Sequence, residues 1–177
     1  MQTVGIVCNK EKTEALQLAA ALVDHLKRTG HGVIANISNS IVAVVDAADV
    51  IVALGGDGTI LDLAHHLDGK ATPVLGVNMG DLGFITDVKE AELYHELDLV
   101  LAGRYEFEKR FMLDVTVVRP QTGETLFSAI ALNDVVTHAT GVKRYLNISL
   151  RINQDTIYSV GGDGVVVATP TGSTGYN

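Results

Sequence analysis

The stretch "DVIVALGGDGTILDLAHH", residues 49–66, decides the fold of this chain. An apolar run at 50–54 is followed by the glycine-rich segment 55–58, and then by apolar residues at helical spacing. Strands that are apolar throughout are typical of parallel sheets buried on both faces. The stretch therefore predicts a strand, a tight loop and a helix, and a second Gly-Gly-Asp-Gly occurs at 161–164.

The same alternation extends outward from this stretch over the first part of the chain. Buried apolar runs alternate with segments of helical period, which favours an α/β domain with a parallel sheet. The predicted strands are 3–9, 31–38, 49–55 and 72–78, and the predicted helices are 12–30, 59–69 and 88–104. In the first helix we expect Leu16, Ala19, Ala20, Val23 and Leu26 to form the buried face, with Gly30 at the end.

The hydrophobic period changes to two after residue 110, which indicates antiparallel strands. Segments 111–118 and 125–132 predict a hairpin, and 145–153 predicts a strand that turns back into 157–160. The charged stretch 104–110 separates the two patterns. We therefore predict an α/β domain at 1–105 that carries the glycine-rich loop, and a β-rich domain at 106–177.

Composition excludes several classes of protein. The chain has 177 residues, of which 47% are hydrophobic, and a formal net charge of −8. That charge argues against a nucleic-acid partner, because phosphates are neutralised by clustered Lys and Arg. The single cysteine, Cys8, lies in an apolar run, where we expect a buried structural thiol. No signal peptide or membrane span is recognisable, so we expect a soluble, cytoplasmic protein.

The glycine-rich loop has the composition of a phosphate site. Glycine lets the backbone approach a ligand closely, and the N–H groups at the start of a helix attract anions. Asp57 is unusual there, because a carboxylate repels phosphate unless it binds a metal or accepts a proton from an attacking hydroxyl group. An alternative is that Asp57 caps the following helix. On the loop alone the two explanations weigh about equally.

Four segments together resemble the NAD kinase family. They are "GGDGTIL" at 55–61, "GVNMGDLGFITD" at 76–87, "LNDVV" at 132–136 and "GGDGVVVATPTGSTGYN" at 161–177. The first segment alone is also similar to lipid kinases and phosphofructokinases. The other segments are more specific, and the set covers essentially the whole chain.

The resemblance implies transfer of the terminal phosphate of ATP, or of polyphosphate, to the 2′-hydroxyl group of the adenosine ribose of NAD. It implies Mg²⁺ or another divalent ion with ATP, and a homo-oligomer, a dimer or tetramer, when full length. We assign no residue as a metal ligand; His65 and His66 fall on different faces of a helix. We expect neither nucleic acid nor membrane as a partner.

The resemblance also implies roles for individual residues. Asp57 would be the catalytic proton acceptor, with Gly58 at the same site. Asn133 and Asp134 would bind the adenosine part of NAD, and Arg144 its pyrophosphate. The phosphate loop would consist of Gly55, Gly56, Gly58 and Thr59. Phe84 is expected to pack near the adenine, and Asp163 to bind the second nucleoside of NAD. The adenine pocket would be lined by Thr174, Gly175 and Tyr176, with Asn177 beside them, and Thr171 is a further expected contact to the dinucleotide.

Each assignment has a plainer alternative. Asn133 could satisfy backbone groups at a strand end, Tyr176 could be a core aromatic residue, and Arg144 a solvated cation. For the whole protein, one alternative is a lipid or sugar kinase that shares only the loop at 55–59. Another is a non-catalytic module that binds NAD or ADP without turnover.

The chain departs from the family pattern in several places. Asp134 stands where glutamate is usual, Gly161 where a cation or polar side chain is common, and Gly175 where alanine is usual. The chain also stops inside the last motif. We therefore expect an incomplete β-rich domain with exposed apolar faces, and no normal turnover from residues 1–177 alone.

Overall fold

The computed structural model describes residues 2–80, 83–86, 88–140, 145–153 and 155–176. The chain divides into two compact units, Met1–Arg110 and Phe111–Asn177. Each unit has its own sheets, and each is described by itself.

The first unit contains a five-stranded sheet in the order β2-β1-β3-β4-β5, in which every pair of neighbours is parallel. The predicted parallel α/β sheet is therefore confirmed, and the very short β5 is an addition to it. The strands are β1 (Thr3–Cys8), β2 (Gly32–Ala35), β3 (Val50–Gly55), β4 (Val74–Asn78) and β5 (Val88–Lys89).

Helices connect these strands, and one of them was not predicted. The helices are α1 (Thr13–Arg28), α2 (Ile41–Ala47), α3 (Asp57–Leu67) and α4 (Leu93–Leu101), with a 3₁₀ turn at Glu90–Glu92. The unpredicted α2 is rich in valine, which favours strands in isolation. Its N-terminus is fixed by Ser40, whose side chain accepts a hydrogen bond from the Ala43 amide at 3.1 Å. That capping serine was the signal for a helix.

Helices cover the sheet on both faces. On one face, α1 and α4 bury the side chains of alternate residues of the central strands in one continuous core. On the other face α2 lies very close to β1, because a Cβ atom at Gly5 would be 2.7 Å from the Ala48 Cβ and 2.8 Å from Val44. Every residue of β3 is buried as a result. The glycine-rich loop therefore follows the most enclosed strand.

The buried face of α1 differs in part from the prediction. Ala19 and Leu26 are buried as expected, but Ala20 is exposed, and Ala15 and Leu22 are fully buried instead. The predicted residues Leu16 and Val23 only border the core. The small side chains of Ala15 and Ala19 let the helix approach the sheet closely. This close approach explains why the helix face with Ala15, Ala19, Leu22 and Leu26 is buried rather than the predicted one. Gly30 follows the helix with φ +83°, the left-handed conformation expected there.

The second unit consists of antiparallel strand pairs, as predicted. The strands are β6 (Leu113–Val118), β7 (Thr125–Ala131), β8 (Asp134–His138), β9 (Leu146–Ile152), β10 (Asp155–Gly162) and β11 (Gly164–Ala168), followed by the short helix α5 (Pro170–Ser173). β6 pairs with β7, β9 with β10, and β8 with β11. The second Gly-Gly-Asp-Gly therefore joins two strands, whereas the first joins a strand to a helix.

Many large apolar side chains of the second unit are exposed, as the sequence led us to expect. All but Phe111 lie on strands, and each strand pair contributes some of them; they are Phe111, Val117, Val118, Leu126, Phe127, Val136, Leu150, Ile152, Tyr158, Val160, Val166 and Val167. By contrast, large apolar residues of the first unit form a dense core. Among the described residues, no helix has both the length and the apolar character needed to cross a membrane.

Cys8 is a buried structural thiol, as predicted. Its amide donates to Asn36 Oδ1 and its carbonyl accepts from Asn36 Nδ2, both at 3.0 Å, so one side chain joins the ends of β1 and β2. Burial raises the pKa of the Cys8 thiol. Because the thiolate is the reactive form, this shift keeps Cys8 unreactive near neutral pH.

Candidate functional site

The carboxyl ends of β1, β3 and β4 lie side by side in the first unit. The amide of Asn9, just beyond β1, donates to the Leu54 carbonyl at 3.2 Å, and the amide of Met79, just beyond β4, donates to the Gly55 carbonyl at 3.1 Å. From the inner strand β1 the chain goes out to β2 on one side and returns to β3 on the other. Open α/β sheets bind ligands in the crevice at such a switch of direction.

The glycine-rich loop occupies this edge of the sheet. Gly55 ends β3, and a side chain there would overlap the Thr59 hydroxyl group. Gly56 caps α3, while the Cβ positions of Gly56 and Gly58 face open space. Gly56 has no side chain that could cap α3, and the Thr59 amide donates to the Gly56 carbonyl at 2.9 Å. The amides before Thr59 are the N–H groups that a helix start presents to a ligand. Such groups are a common anion site, and Gly55, Gly56, Gly58 and Thr59 all lie in or beside it.

The Asp57 carboxylate is held by backbone amides of another segment. Its Oδ2 accepts a hydrogen bond from the Phe84 amide at 2.9 Å, and its Oδ1 accepts one from the Ile85 amide at 3.1 Å. Asp57 is the first residue of α3 rather than its cap, which is Gly56. The helix-capping explanation is therefore wrong. Each carboxylate oxygen has a further lone-pair position, so this half-buried group can still accept a proton.

Gly83 makes this arrangement possible. A Cβ atom at Gly83 would lie 2.6 Å from the Asp57 Cγ and 2.9 Å from its Oδ2. These distances are far below van der Waals contact, so any side chain here would displace the carboxylate. Gly83 is not among the residues with positive φ. Glycine is therefore required here by the lack of space for a side chain and not by the backbone conformation. The sequence indicated the motif but not this function of Gly83.

Phe84 contributes its backbone rather than its ring to the contact with Asp57. The amide binds the carboxylate, whereas the side chain is 74% exposed. An aromatic ring exposed beside a predicted phosphate loop is free to contact an aromatic base. The adenine contact predicted for Phe84 stays a prediction.

No group of three or more His, Cys, Asp or Glu residues that could hold a metal ion occurs in the described part of the chain. Mg²⁺ in phosphoryl-transfer enzymes often binds one or two carboxylates and completes its shell with water and substrate phosphates. The described residues therefore fit an ion that arrives with a phosphate ligand rather than one held by a cluster of protein ligands.

In the second unit, the segment after β11 packs on the segment before β8. Thr169 connects them, because its hydroxyl donates to the Leu132 carbonyl at 2.6 Å and its amide donates to the Asn133 carbonyl at 2.8 Å. The same hydroxyl accepts from the Gly172 amide at 3.1 Å. The predicted residues Asn133, Asp134 and Thr171 are thereby brought together. Thr169 was not predicted, although its "TPTGS" context is rich in caps and turns.

Several predicted residues of the second unit lie in this cluster or near it. The Oδ1 atom of Asn133 is buried without a hydrogen-bond partner among the described residues. This atom therefore accepts no hydrogen bond from a described backbone amide, as the plainer alternative for Asn133 would require. Thr174 begins the 3₁₀ turn Thr174–Tyr176 and donates through its hydroxyl to the Thr171 carbonyl at 3.0 Å. Gly175 lies in the same turn, where its Cβ position faces open space.

Asp163 lies apart from this cluster in the sequence, in the turn between β10 and β11. Its side chain is exposed, and its carbonyl accepts from the Ala139 amide at 3.0 Å. The neighbouring Gly161 has no space for a side chain, because a Cβ atom would overlap the Tyr145 hydroxyl group. The Tyr145 side chain thus fills the space beside Gly161. Arg144 and Asn177 lie outside the described residues.

Gly172 is a close-packing position, which leads to a stability prediction. A Cβ atom there would overlap the Asn133 carbonyl and lie 2.7 Å from the Asn133 Cα. We expect Gly172→Ala to lower the free energy of unfolding by about 1–3 kcal/mol, because the two segments must separate. Gly175→Ala is the matched control, since its methyl group enters open space. Urea unfolding of both variants provides the measurement, and equal stabilities would contradict the packing explanation.

The family described as "ATP-NAD kinase N-terminal domain" matches residues 36–105, and "ATP-NAD kinase C-terminal domain" matches residues 132–177. The structure is similar to the crystal structure of yeast NADH kinase complexed with NADH, with a TM-score of 0.87. That likeness has 24% sequence identity and covers 99% of this chain and 60% of the yeast chain, so it shows a shared fold.

Curated relatives named NAD kinase match along nearly the whole chain. The protein from Acinetobacter baylyi is 35% identical over 99% of this chain and 60% of its own length. The protein from Ruminiclostridium cellulolyticum is 33% identical over 100% of this chain and 65% of its own length. The chain thus spans about three fifths of the length of these relatives. With both domain families matched in order, and with a similar fold, the chain belongs to the NAD kinase family.

Proposed function

We propose that the protein containing this chain transfers the terminal phosphate of ATP, or of polyphosphate, to the 2′-hydroxyl group of the adenosine ribose of NAD, giving NADP. The observation that carries the proposal is the position of the Asp57 carboxylate. It is fixed by the amides of Phe84 and Ile85 and lies at the start of α3, next to the cap residue Gly56. A fixed acceptor beside an anion site is the arrangement that phosphoryl transfer to a hydroxyl group requires.

In this mechanism Asp57 accepts the proton of the 2′-hydroxyl group as its oxygen bonds to the terminal phosphorus atom. The bond between that phosphorus and the bridging oxygen of the donor breaks, and ADP, or a shorter polyphosphate, leaves with the electron pair. The two amide hydrogen bonds hold the carboxylate in one orientation before the substrate arrives. General-base assistance of this kind contributes about 10²- to 10⁴-fold to the rate.

The N–H groups of the loop at 55–59 would bind the phosphates of the donor. A divalent ion such as Mg²⁺, when bound with the donor, would neutralise part of the charge on these phosphates.

The second unit would bind NAD. Asn133, Asp134 and Thr171 are held together by the contacts of Thr169, which supports a single site for adenosine formed by these residues with Thr174, Gly175 and Tyr176. The buried Asn133 Oδ1 offers an acceptor to such a ligand. Asp163 would bind the other nucleoside, and Arg144, Asn177 and Phe84 keep the contacts proposed for them above.

The proposal is tested by an assay for NADP. The protein, expressed from its complete reading frame, is incubated with NAD, MgCl₂ and either ATP or polyphosphate, and NADP is measured with an NADP-specific dehydrogenase. We expect NADP only when a donor is present. Tight NAD binding without NADP formation would support a non-catalytic module, and transfer to a lipid or sugar but not to NAD would overturn the proposal.

We also propose a homo-oligomer, a dimer or tetramer, and a cytoplasmic location, both supported by the family membership. Light scattering coupled to gel filtration measures the first. Cell fractionation measures the second, and a monomer or a membrane-bound pool would contradict them.

A further inference from the structure

Lys12 extends from the end of β1 towards the end of β4. Its backbone lies four residues beyond the last residue of β1 and forms a turn in which the Lys12 amide donates to the Asn9 carbonyl at 3.2 Å. Its Nζ atom lies 3.8 Å from the position that a Cβ atom would have at Gly80, two residues beyond β4. One side chain therefore connects two strand ends that are not neighbours in the sheet.

The strand between these two ends is β3. Asn9 and Met79 are both hydrogen-bonded to the last residues of β3, so all three strands end at one level. A side chain that runs from beyond β1 to beyond β4 passes the end of β3, where the next segment of the chain begins. That segment is the glycine-rich loop with Asp57, so the strand order places Lys12 at the same edge of the sheet as this loop.

The charge of Lys12 is not neutralised within the described residues. Lys12 makes no ion pair there, and its side chain is exposed. The chain as a whole carries a formal net charge of −8, so a cation at the edge of the sheet that carries the glycine-rich loop is a local exception to the net charge. Lysine binds phosphate as a point charge, and a glycine-rich loop supplies the complementary N–H groups.

We propose that Lys12 binds the phosphate chain of the donor and positions its terminal phosphate over the glycine-rich loop. This inference rests on the proposed function for the identity of the donor. Resemblance to the family had suggested a cation only at Arg144, for the pyrophosphate of NAD. Lys12 is a second cation, from a different unit, and it serves the other substrate.

The first test is steady-state kinetics of Lys12→Met, in which a side chain of similar length loses its charge. We expect the KM for ATP to rise by about 10- to 100-fold, the effect of one charge-assisted hydrogen bond, and the KM for NAD to change by less than about threefold. Lys12→Arg should recover part of the loss. Lys10→Met is the matched control, because Lys10 is an exposed lysine of the same connection, and its kinetics should match the wild type.

The second test does not depend on turnover. Binding of inorganic tripolyphosphate, with MgCl₂ present, is measured by isothermal titration calorimetry on the wild type and the same variants. We expect binding to the wild type and to Lys10→Met, and a Kd at least about tenfold higher for Lys12→Met. If the wild type binds tripolyphosphate through Lys12 but forms no NADP, the proposed function fails and the role of Lys12 stands.

Two results would overturn the role of Lys12. One is equal tripolyphosphate affinity in the wild type and Lys12→Met, or no affinity in either. The other is a loss of kcat/KM that is the same for NAD and ATP, or that Lys10→Met reproduces, because a general effect of surface charge would then explain it.

Discussion

Asp57→Asn is expected to lower kcat by about 10²- to 10⁴-fold while the KM for NAD stays within about threefold of the wild-type value. Asparagine has nearly the same shape as aspartate but a much weaker acceptor for the 2′-hydroxyl proton. One of its side-chain atoms becomes an N–H donor, so only one of the amides of Phe84 and Ile85 keeps its partner. NADP formation measured over a range of NAD concentrations separates kcat from KM.

The control for Asp57→Asn is Asp62→Asn, on the same helix but with an exposed side chain. This variant should keep wild-type kcat. The competing explanation is that Asp57 only connects α3 to the segment 83–86. It predicts a lower free energy of unfolding, with activity restored when the protein is kept folded at low temperature. Product formation at the wild-type rate by a folded Asp57→Asn variant would remove Asp57 from the chemistry.

Gly83→Ala is expected to lower kcat by about 10²-fold, although Gly83 itself has no reactive group. The added methyl group would overlap the Asp57 carboxylate, so the carboxylate must shift away from its bound position. A displacement of about 1 Å in a reacting group is enough for a loss of this size. The free energy of unfolding should also fall, by about 1–3 kcal/mol, because the site is overpacked.

A double-mutant cycle tests the cause of the Gly83→Ala effect. In an Asp57→Ala background the carboxylate is absent, so the methyl group has space and its cost in unfolding free energy should largely disappear. Coupling between residues in contact is typically about 0.5–3 kcal/mol. An equal cost in both backgrounds would mean that the methyl group conflicts with something other than Asp57.

Local sequence patterns were sufficient to predict most of the strands and helices. Continuous apolar runs identified the strands of the parallel sheet, and the change to a period of two identified the antiparallel part. The errors came where tertiary contacts overrode local preference. The valine-rich α2 is helical because Ser40 caps it and because it packs on β1 at Gly5. Ala20 is exposed because the close packing of α1 on the sheet selects a different row of residues.

The candidate site residues were predicted from the resemblance to the NAD kinase family. The structure adds the contacts that explain why some of these residue types are needed at their positions. From the loop sequence alone, a helix cap and a proton acceptor were equally good explanations of Asp57. Its hydrogen bonds to the segment 83–86 exclude the helix cap. At Gly161 the structure shows why a side chain is excluded, because a Cβ atom there would overlap the Tyr145 hydroxyl group.

The sequence by itself determined the fold class, the family motifs and the identity of the candidate base, because apolar periodicity and short glycine-rich segments are local properties. Only the tertiary structure decided which groups surround that base. Gly83 and Lys12 are far from Asp57 along the chain. The sequence around each of them does not indicate a position near Asp57. The parallel sheet brings the ends of β1, β3 and β4 to one edge, and closeness at that edge depends on strand order, which no short segment encodes.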